Sequence, residues 1–385
     1  MKRALWATAV LALATALPAV AGWEEGVAAF RSRDYQAAYQ QFQAYVSKNP
    51  NAYQGHYMLG EAALRINRND EALNHLRKAY DLNPNDLATK LSLGRAYSSV
   101  RRYKEAATLL GGIDSTALPA QQKVVFYQLR ARARDKAGDS NGALKDYGTL
   151  TRLLPNDATI HYRYGVGLLG QDQLDKGLAS LKTATRLDPK NEDMKTAYVK
   201  ALLNKARGSR DRTAKKRYYQ QAAAEAKALT ALDGSFDNEM LQLSAELGGG
   251  LYESAIATGE KAVARNGNDW KANFYLGQAL TSAQKFEAAE APLNKAKGLA
   301  RSQADQNRIN KQLGYAYSKQ KKYTEAIAAY EAGGDAAAAA RVRENKDTAQ
   351  FNANVEEENA RIEAMRKEAE RLEKELQELE GGGGG

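Results

Sequence analysis

Three histidines, His56, His75 and His161, are the side chains in this sequence with the widest chemical reach, and their spacing gives them little to do. None stands in an HExxH or similar pattern, so the helical zinc-hydrolase arrangement is missing. The chain has no Cys, which removes disulfides, a thiolate metal site and a lipid-accepting Cys after an export signal. Gly248-Gly249-Gly250 lacks the Gly-Lys-Ser/Thr ending and the preceding strand of a phosphate loop. No Ser occupies a Gly-x-Ser-x-Gly elbow, and the carboxylates read as solvated helix faces. No residue is assigned a catalytic role, and neither a metal nor another cofactor is expected.

One charged segment rises above this background. Lys200, Lys205, Arg207, Arg210, Arg212, Lys215, Lys216 and Arg217 face a single acid, Asp211, and Tyr218-Tyr219 follow. Such a cluster suits an anionic lipid surface or an acidic protein. The plainer alternative is a solvated loop between two helices. Nucleic acid is not expected for an exported chain.

The elements that would position these residues are short amphipathic helices. Tyr53 to Pro84 reads as two of them joined by a tight turn. Gly60 and Ala72 let the backbones approach, Pro84 stops the second helix, and Asp86 caps the next. Such a pair cannot bury its own apolar face and needs copies on either side. The copies exist: Pro50 and Pro84 lie 34 residues apart, as do Gly60 and Gly94, and Pro155 and Pro189.

The pattern resembles the tetratricopeptide repeat (TPR) family over about residues 22–334. Leu59, Gly60, Ala63, Ala72, Ala79 and Pro84 carry the match in one unit, and Leu93, Gly94, Tyr97 and Ala106 in the next. Tyr164, Gly165, Leu181, Ala184 and Pro189 carry it further on. Later come Leu276, Gly277, Ala289 and Ala296, then Leu313, Gly314, Tyr317, Tyr323, Ala326 and Tyr330. The resemblance implies an all-α, right-handed α-solenoid of about nine helix-turn-helix units. His56 and His161 hold one repeat position, which reads as partly buried packing. The unit around Leu118 is looser, with Arg130 where Leu is usual.

In chain order, Met1-Lys2-Arg3, an apolar run to Leu17, and Ala19-Val20-Ala21 read as a signal peptide cleaved after Ala21. An uncleaved membrane anchor is the alternative, although the run is shorter than the roughly 20 residues that span a bilayer. Cleavage removes two basic residues and no acid, so the net charge of +10 falls to +8. A cleaved chain is expected in the periplasm and is not a lipoprotein. Residues 22–205 read as an N-terminal TPR lobe and 206–345 as a C-terminal lobe with a capping helix. Residues 206–250 are irregular, with Ala206–Arg212 and Gly248–Gly250 expected to break the repeats. Residues 346–380 read as a long charged helix and 381–385 as a flexible glycine tail. Ile362, Met365, Ala369, Leu372, Leu376 and Leu379 form a short heptad seam on that helix. A parallel homodimer would set Arg361 against Arg366 and Glu368 against Glu373, so the seam is expected on a different helix, in another protein or in the chain's own cap.

The resemblance further implies an inner groove lined by the first helix of each unit. Its phase places Tyr57, Glu61, Arg95, Tyr162, Phe274, Gln278, Arg308, Lys311 and Tyr315 there, joined by Arg132 if its unit is in phase. In this family such grooves hold extended peptides or partner helices. The expected function is a non-catalytic protein–protein interaction scaffold of the bacterial cell envelope. An accessory or regulatory subunit of a cell-wall or polysaccharide-handling enzyme complex is the alternative.

Overall fold

The computed structural model describes residues 22–116 and 118–381. The expected signal peptide and residues 382–385 of the glycine tail lie outside them. The described residues fold into nineteen α-helices. Their contacts divide the chain after Ala201 into two units.

The first unit holds five helix pairs. They are α1 (Trp23–Arg31) with α2 (Tyr35–Lys48), α3 (Tyr53–Arg65) with α4 (Asn69–Leu82), and α5 (Leu87–Ser99) with α6 (Tyr103–Gly111). Then follow α7 (Ala120–Ala137) with α8 (Ser140–Leu153), and α9 (Ala158–Leu169) with α10 (Leu174–Leu187). Helix α11 (Glu192–Gly208) contains the division point. The second unit continues with α12 (Arg212–Leu232), and with α13 (Phe236–Gly249) paired to α14 (Tyr252–Arg265). It ends in α15 (Trp270–Ser282) with α16 (Phe286–Leu299), α17 (Gln303–Lys319) with α18 (Tyr323–Ala332), and a single long α19 (Ala336–Gly381).

Most pairs close at the same point. A Cβ on Gly60 of α3 would lie 2.6 Å from Leu76 Cγ of α4. Glycine is therefore required by backbone approach. The same spacing joins Gly26 to Phe42, Gly94 to Leu110, Gly165 to Leu181, Gly277 to Leu293 and Gly314 to Tyr330. Two pairs depart from it. In the fourth, Arg130 and Asp146 hold the two places; in the pair of α13 with α14, Gln242 and Thr258 hold them and share a 3.2 Å hydrogen bond. Arg130 thus occupies the glycine position rather than the leucine position expected from the sequence, and Leu129 takes the latter.

The turn inside each regular pair is a Schellman closure. Arg33, Asn67, Arg101, Asp172, Gln284 and Lys321 adopt positive φ there. The next residue donates to a carbonyl five positions back, as in Arg68 N to Ala63 O at 2.9 Å and Lys285 N to Leu280 O at 2.8 Å. Between pairs, Asp86, Asp157 and Asp269 cap the following helix with their carboxylates. A side-chain donor also ties the inter-pair turn to that helix. His56 Nε2 donates to Pro50 O, and His161 Nε2 to Pro155 O, each at 3.0 Å. Asn273 Nδ2, at the same repeat position, donates to Gly267 O at 3.0 Å. The position selects an N–H donor as well as a ring.

Two expected breaks are helical instead. Helix α11 runs through Gly208, leaving only Ser209–Asp211 as the joint to α12. Gly248 and Gly249 lie within α13, where a Cβ on Gly248 would meet Tyr219 Cδ1 at 2.4 Å. The space the glycines leave is filled by α12, so they mark a close crossing; only Gly250, at φ 75°, ends the helix.

Candidate functional site

The first helices of successive pairs touch one another, α3 to α5 and α5 to α7 in the first unit, and α13 to α15 and α15 to α17 in the second. They form an inner row in each unit, and the expected groove residues lie on it. The structure divides those residues into two sets.

Tyr57, Glu61 and Phe274 are 4, 2 and 1% exposed, so they are core residues and not groove surface. The cause is the next first helix. Arg95 of α5 reaches back onto the Glu61 carboxylate, and Arg65 lies 3.9 Å from its other oxygen. Burial alone would raise the Glu61 pKa; the Arg95 charge, the Ser92 hydroxyl and the Arg65 charge outweigh it and hold the carboxyl below its usual range. Burial, reinforced by Glu61, pushes the Tyr57 phenol up. Phe274 is covered by Arg308 of α17, whose guanidinium stands 4.7 Å from the ring centroid. Arg95, Tyr162 and Gln278 are partly buried. The register set by Arg130 puts buried Ala131 on the inner row, and Arg132 is exposed beyond it.

Arg308, Lys311 and Tyr315 behave differently. All three are exposed, Tyr315 at 41%: α19, the helix that follows in the first-helix place, packs on α18 and leaves this face of α17 uncovered. The Tyr315 ring meets the edge of Phe286 at 6.0 Å and carries Lys319 Nζ 5.6 Å from its centroid. Lys311 Nζ stands 4.0 Å from Asp335, the residue that caps α19. Lys319 belongs to this surface and escaped the sequence reading, although its place four residues after Tyr315 marks it as a neighbour on the helix. The result is an aromatic platform ringed by three cations, suited to a carboxylate-bearing chain with an apolar side.

The basic run forms a second surface. Arg207 lies at the end of α11, Arg210 in the joint, and Arg212, Lys215, Lys216 and Arg217 in the first turns of α12; all are exposed. Lys205 is half-buried, with its ammonium 5.9 Å from the Tyr218 ring, and Arg217 lies 5.5 Å from the same ring. The first turn of α12 carries no acid, so its positive dipole end meets more positive charge. Asp211 alone offsets it, accepting from Thr213 N and Ala214 N at 3.0 and 3.1 Å.

The first unit also has an open cleft of about 870 Å³ between α8, α9 and the turn that follows α9, lined by Leu144, Lys145, Arg152, Tyr164 and Gln171 among others. Among the described residues no group of three His, Asp or Glu could hold a metal ion, and no helix is long and apolar enough to cross a membrane.

Comparison with known proteins agrees with this architecture. Tetratricopeptide-repeat models match residues 24–87, 129–192 and 66–123. A model described as anaphase-promoting complex, cyclosome, subunit 3 matches residues 249–333. Anaphase-promoting complex subunit 3 of Schizosaccharomyces pombe is 25% identical over 134 residues, 35% of this chain and 20% of that protein. The chain therefore spans a fifth of that relative's length. Among solved structures, YrrB, described as a TPR protein with an unusual peptide-binding site, superposes with a TM-score of 0.43 at 18% identity. The alignment covers 53% of this chain and 97% of YrrB. MamA from Desulfovibrio magneticus RS-1 gives a TM-score of 0.38 at 18% identity, covering 46 and 94% of the two chains. The repeat matches support a protein–protein interaction scaffold. With its paired helices, its 34-residue register and the tetratricopeptide-repeat models that it matches, the chain belongs to the tetratricopeptide-repeat family.

Proposed function

We propose that this chain is a non-catalytic scaffold of a bacterial cell envelope, and that it holds an extended or helical segment of a partner protein against the end of its inner row. The observation that carries this reading is the exposure of Lys311 and Tyr315, three before and one after the closing Gly314, where Tyr57 and Phe274, and Glu61, are covered; Arg308 stands exposed one turn before Lys311. Rigid, amphipathic Tyr and forked Arg are the types that anchor interfaces. With Lys319 beside them, the partner segment carries Asp or Glu next to an aromatic or aliphatic residue. Selecting a displayed random-peptide library on the intact protein tests this. An acidic-plus-apolar consensus is expected; enrichment of peptides without acids contradicts it.

The envelope location rests on the basic, apolar and Ala-Val-Ala segments of residues 1–21. N-terminal sequencing of the native protein should begin at Gly22, and a start at Met1 contradicts cleavage.

The basic run supports a second contact, to an anionic membrane surface. Basic residues at the start of α12 oppose the helix dipole, so they do not serve its stability. Binding to vesicles of anionic lipid should fall steeply with salt and vanish in the R207Q/R210Q/R212Q variant. Binding indifferent to both changes contradicts the contact.

A further inference from the structure

Only the start of α19 packs on the repeats. Ala339 and Val342 are buried with Ala326 and Tyr330 of α18, and Lys346 Nζ reaches Thr324 at 3.4 Å. Beyond that point, from Gln350 through Glu375, the side chains are exposed to solvent. Phe351 is 67% exposed, Ile362 52%, Met365 62% and Leu372 49%. The seam is therefore not covered by the chain's own cap, which was one of the two places expected for it. Val355 and Phe351 continue it toward the N-terminus at the same 3 and 4 spacing, interrupted by Glu358. Ion pairs along the helix, such as Arg361 with Glu357 at 2.9 Å and Arg371 with Glu375 at 3.4 Å, keep it helical while the apolar stripe stays unpartnered.

We infer that the seam of α19 pairs with α19 of a second copy of this chain, in antiparallel orientation. Charge decides between the two orientations. In a parallel pair the flanking contacts join Arg361 to Arg366 and Glu368 to Glu373, all repulsive. In an antiparallel pair centred between Glu363 and Ala364, Ile362 packs on Met365 of the second copy and Val355 on Leu372. The flanking contact then joins Arg361 to Glu368 of the second copy, and two-fold symmetry makes it twice. Arg366 faces Asn359 and Glu373 faces Asn352, so no like charges meet. Glu358 lies opposite Ala369, whose small side chain leaves its carboxylate room to turn toward Arg361, 3.7 Å away on its own helix.

The placement is sterically open. The centre lies about 21 residues past Val342, roughly 32 Å of helix at 1.5 Å per residue. Each copy's packed repeats thus stand clear of the other's. The heptads are few and one core place is acidic, so the pair is reversible, with a dissociation constant in the micromolar range.

Charge reversal on the full-length chain tests both partner and orientation by analytical ultracentrifugation. For the antiparallel pair, R361E and E368R each weaken dimerisation by about tenfold, and the R361E/E368R double variant restores it. For a parallel pair each single reversal replaces repulsion with attraction and tightens the dimer, which overturns the proposal. The chain has no Cys, so introduced thiols report without background. V355C mixed with L372C should form a disulfide, and V355C alone should not. A wild-type chain that stays monomeric throughout the micromolar range overturns the inference outright.

Discussion

The second and fourth helix pairs close at the same place by opposite means. In the second, Gly60 contributes nothing and Leu76 fills the gap. In the fourth, the Arg130 guanidinium grips Asp146 with two hydrogen bonds of 3.0 and 2.7 Å, and Arg134 adds a third at 2.9 Å. Arg130 also lies 4.4 Å from the Phe126 ring centroid. Asp146 is 2% exposed, so this is a buried charge held only by its partners. The repeat geometry accepts either solution because what it needs is a filled volume at a fixed backbone separation. The two solutions fail differently: the glycine closure cannot accept an atom, and the ionic closure cannot lose one.

The largest effect should therefore come from Asp146→Ala, which strands Arg130 in an apolar site. A loss of about 3–5 kcal/mol is expected in urea unfolding, concentrated in the first unit. The R130G/D146L double variant installs the closure of the second pair and should recover most of that loss. Little recovery would mean that the fourth pair is committed to its charges. Next comes Gly277→Ala. Its Cβ would stand 2.4 Å from Leu293 Cγ, and an overpacking cost of about 1–3 kcal/mol is expected. A neutral result would show that the glycine closure can spread, and would erase the contrast.

A smaller effect concerns the second pair alone. His56 Nε2 donates to Pro50 O, which leaves His56 Nδ1 to accept from His75 Nδ1–H at 3.1 Å. Burial lowers the pKa of both rings. At His56 the Pro50 carbonyl opposes this and Lys78 adds to it; at His75, His56 adds to it and Glu71 opposes. The unfolded chain then binds more protons than the folded one once the pH falls below about 6.5. Stability should be intact above that pH and decline below it, until the folded rings themselves protonate. Thermal melts between pH 7 and 5 should show this slope, and it should flatten in H75Q.

Much of the fold could be read from the sequence because its signals are local. Pro50, Pro84 and Gly94 mark the period, and Asp86 is a cap by type and place. What could not be read depends on residues far along the chain. Tyr57 and Phe274 look like groove anchors until the next first helix is added, about 34 residues later, bringing Arg95 and Arg308 over that row. Arg130 looks like a defect until Asp146 is placed beside it. Gly248 and Gly249 read as a break because glycine weakens an isolated helix by about 1 kcal/mol each. Here the approach of Tyr219 and Gln220 offsets that cost. Lys311 and Tyr315 were recognisable by phase, but that they stay exposed follows from α19 packing on α18 and not over this face of α17.

The covered and uncovered ends of the inner row give the account its central claim: binding lies where the row ends. The direct test is the affinity of an acidic peptide selected on the wild-type protein, measured by calorimetry on R308A/K311A/Y315A. At least a tenfold loss is expected with the fold retained and the melting temperature lowered only slightly, by the loss of the Arg308 cover on Phe274. Wild-type affinity in that variant would contradict the claim and place the binding elsewhere on the chain.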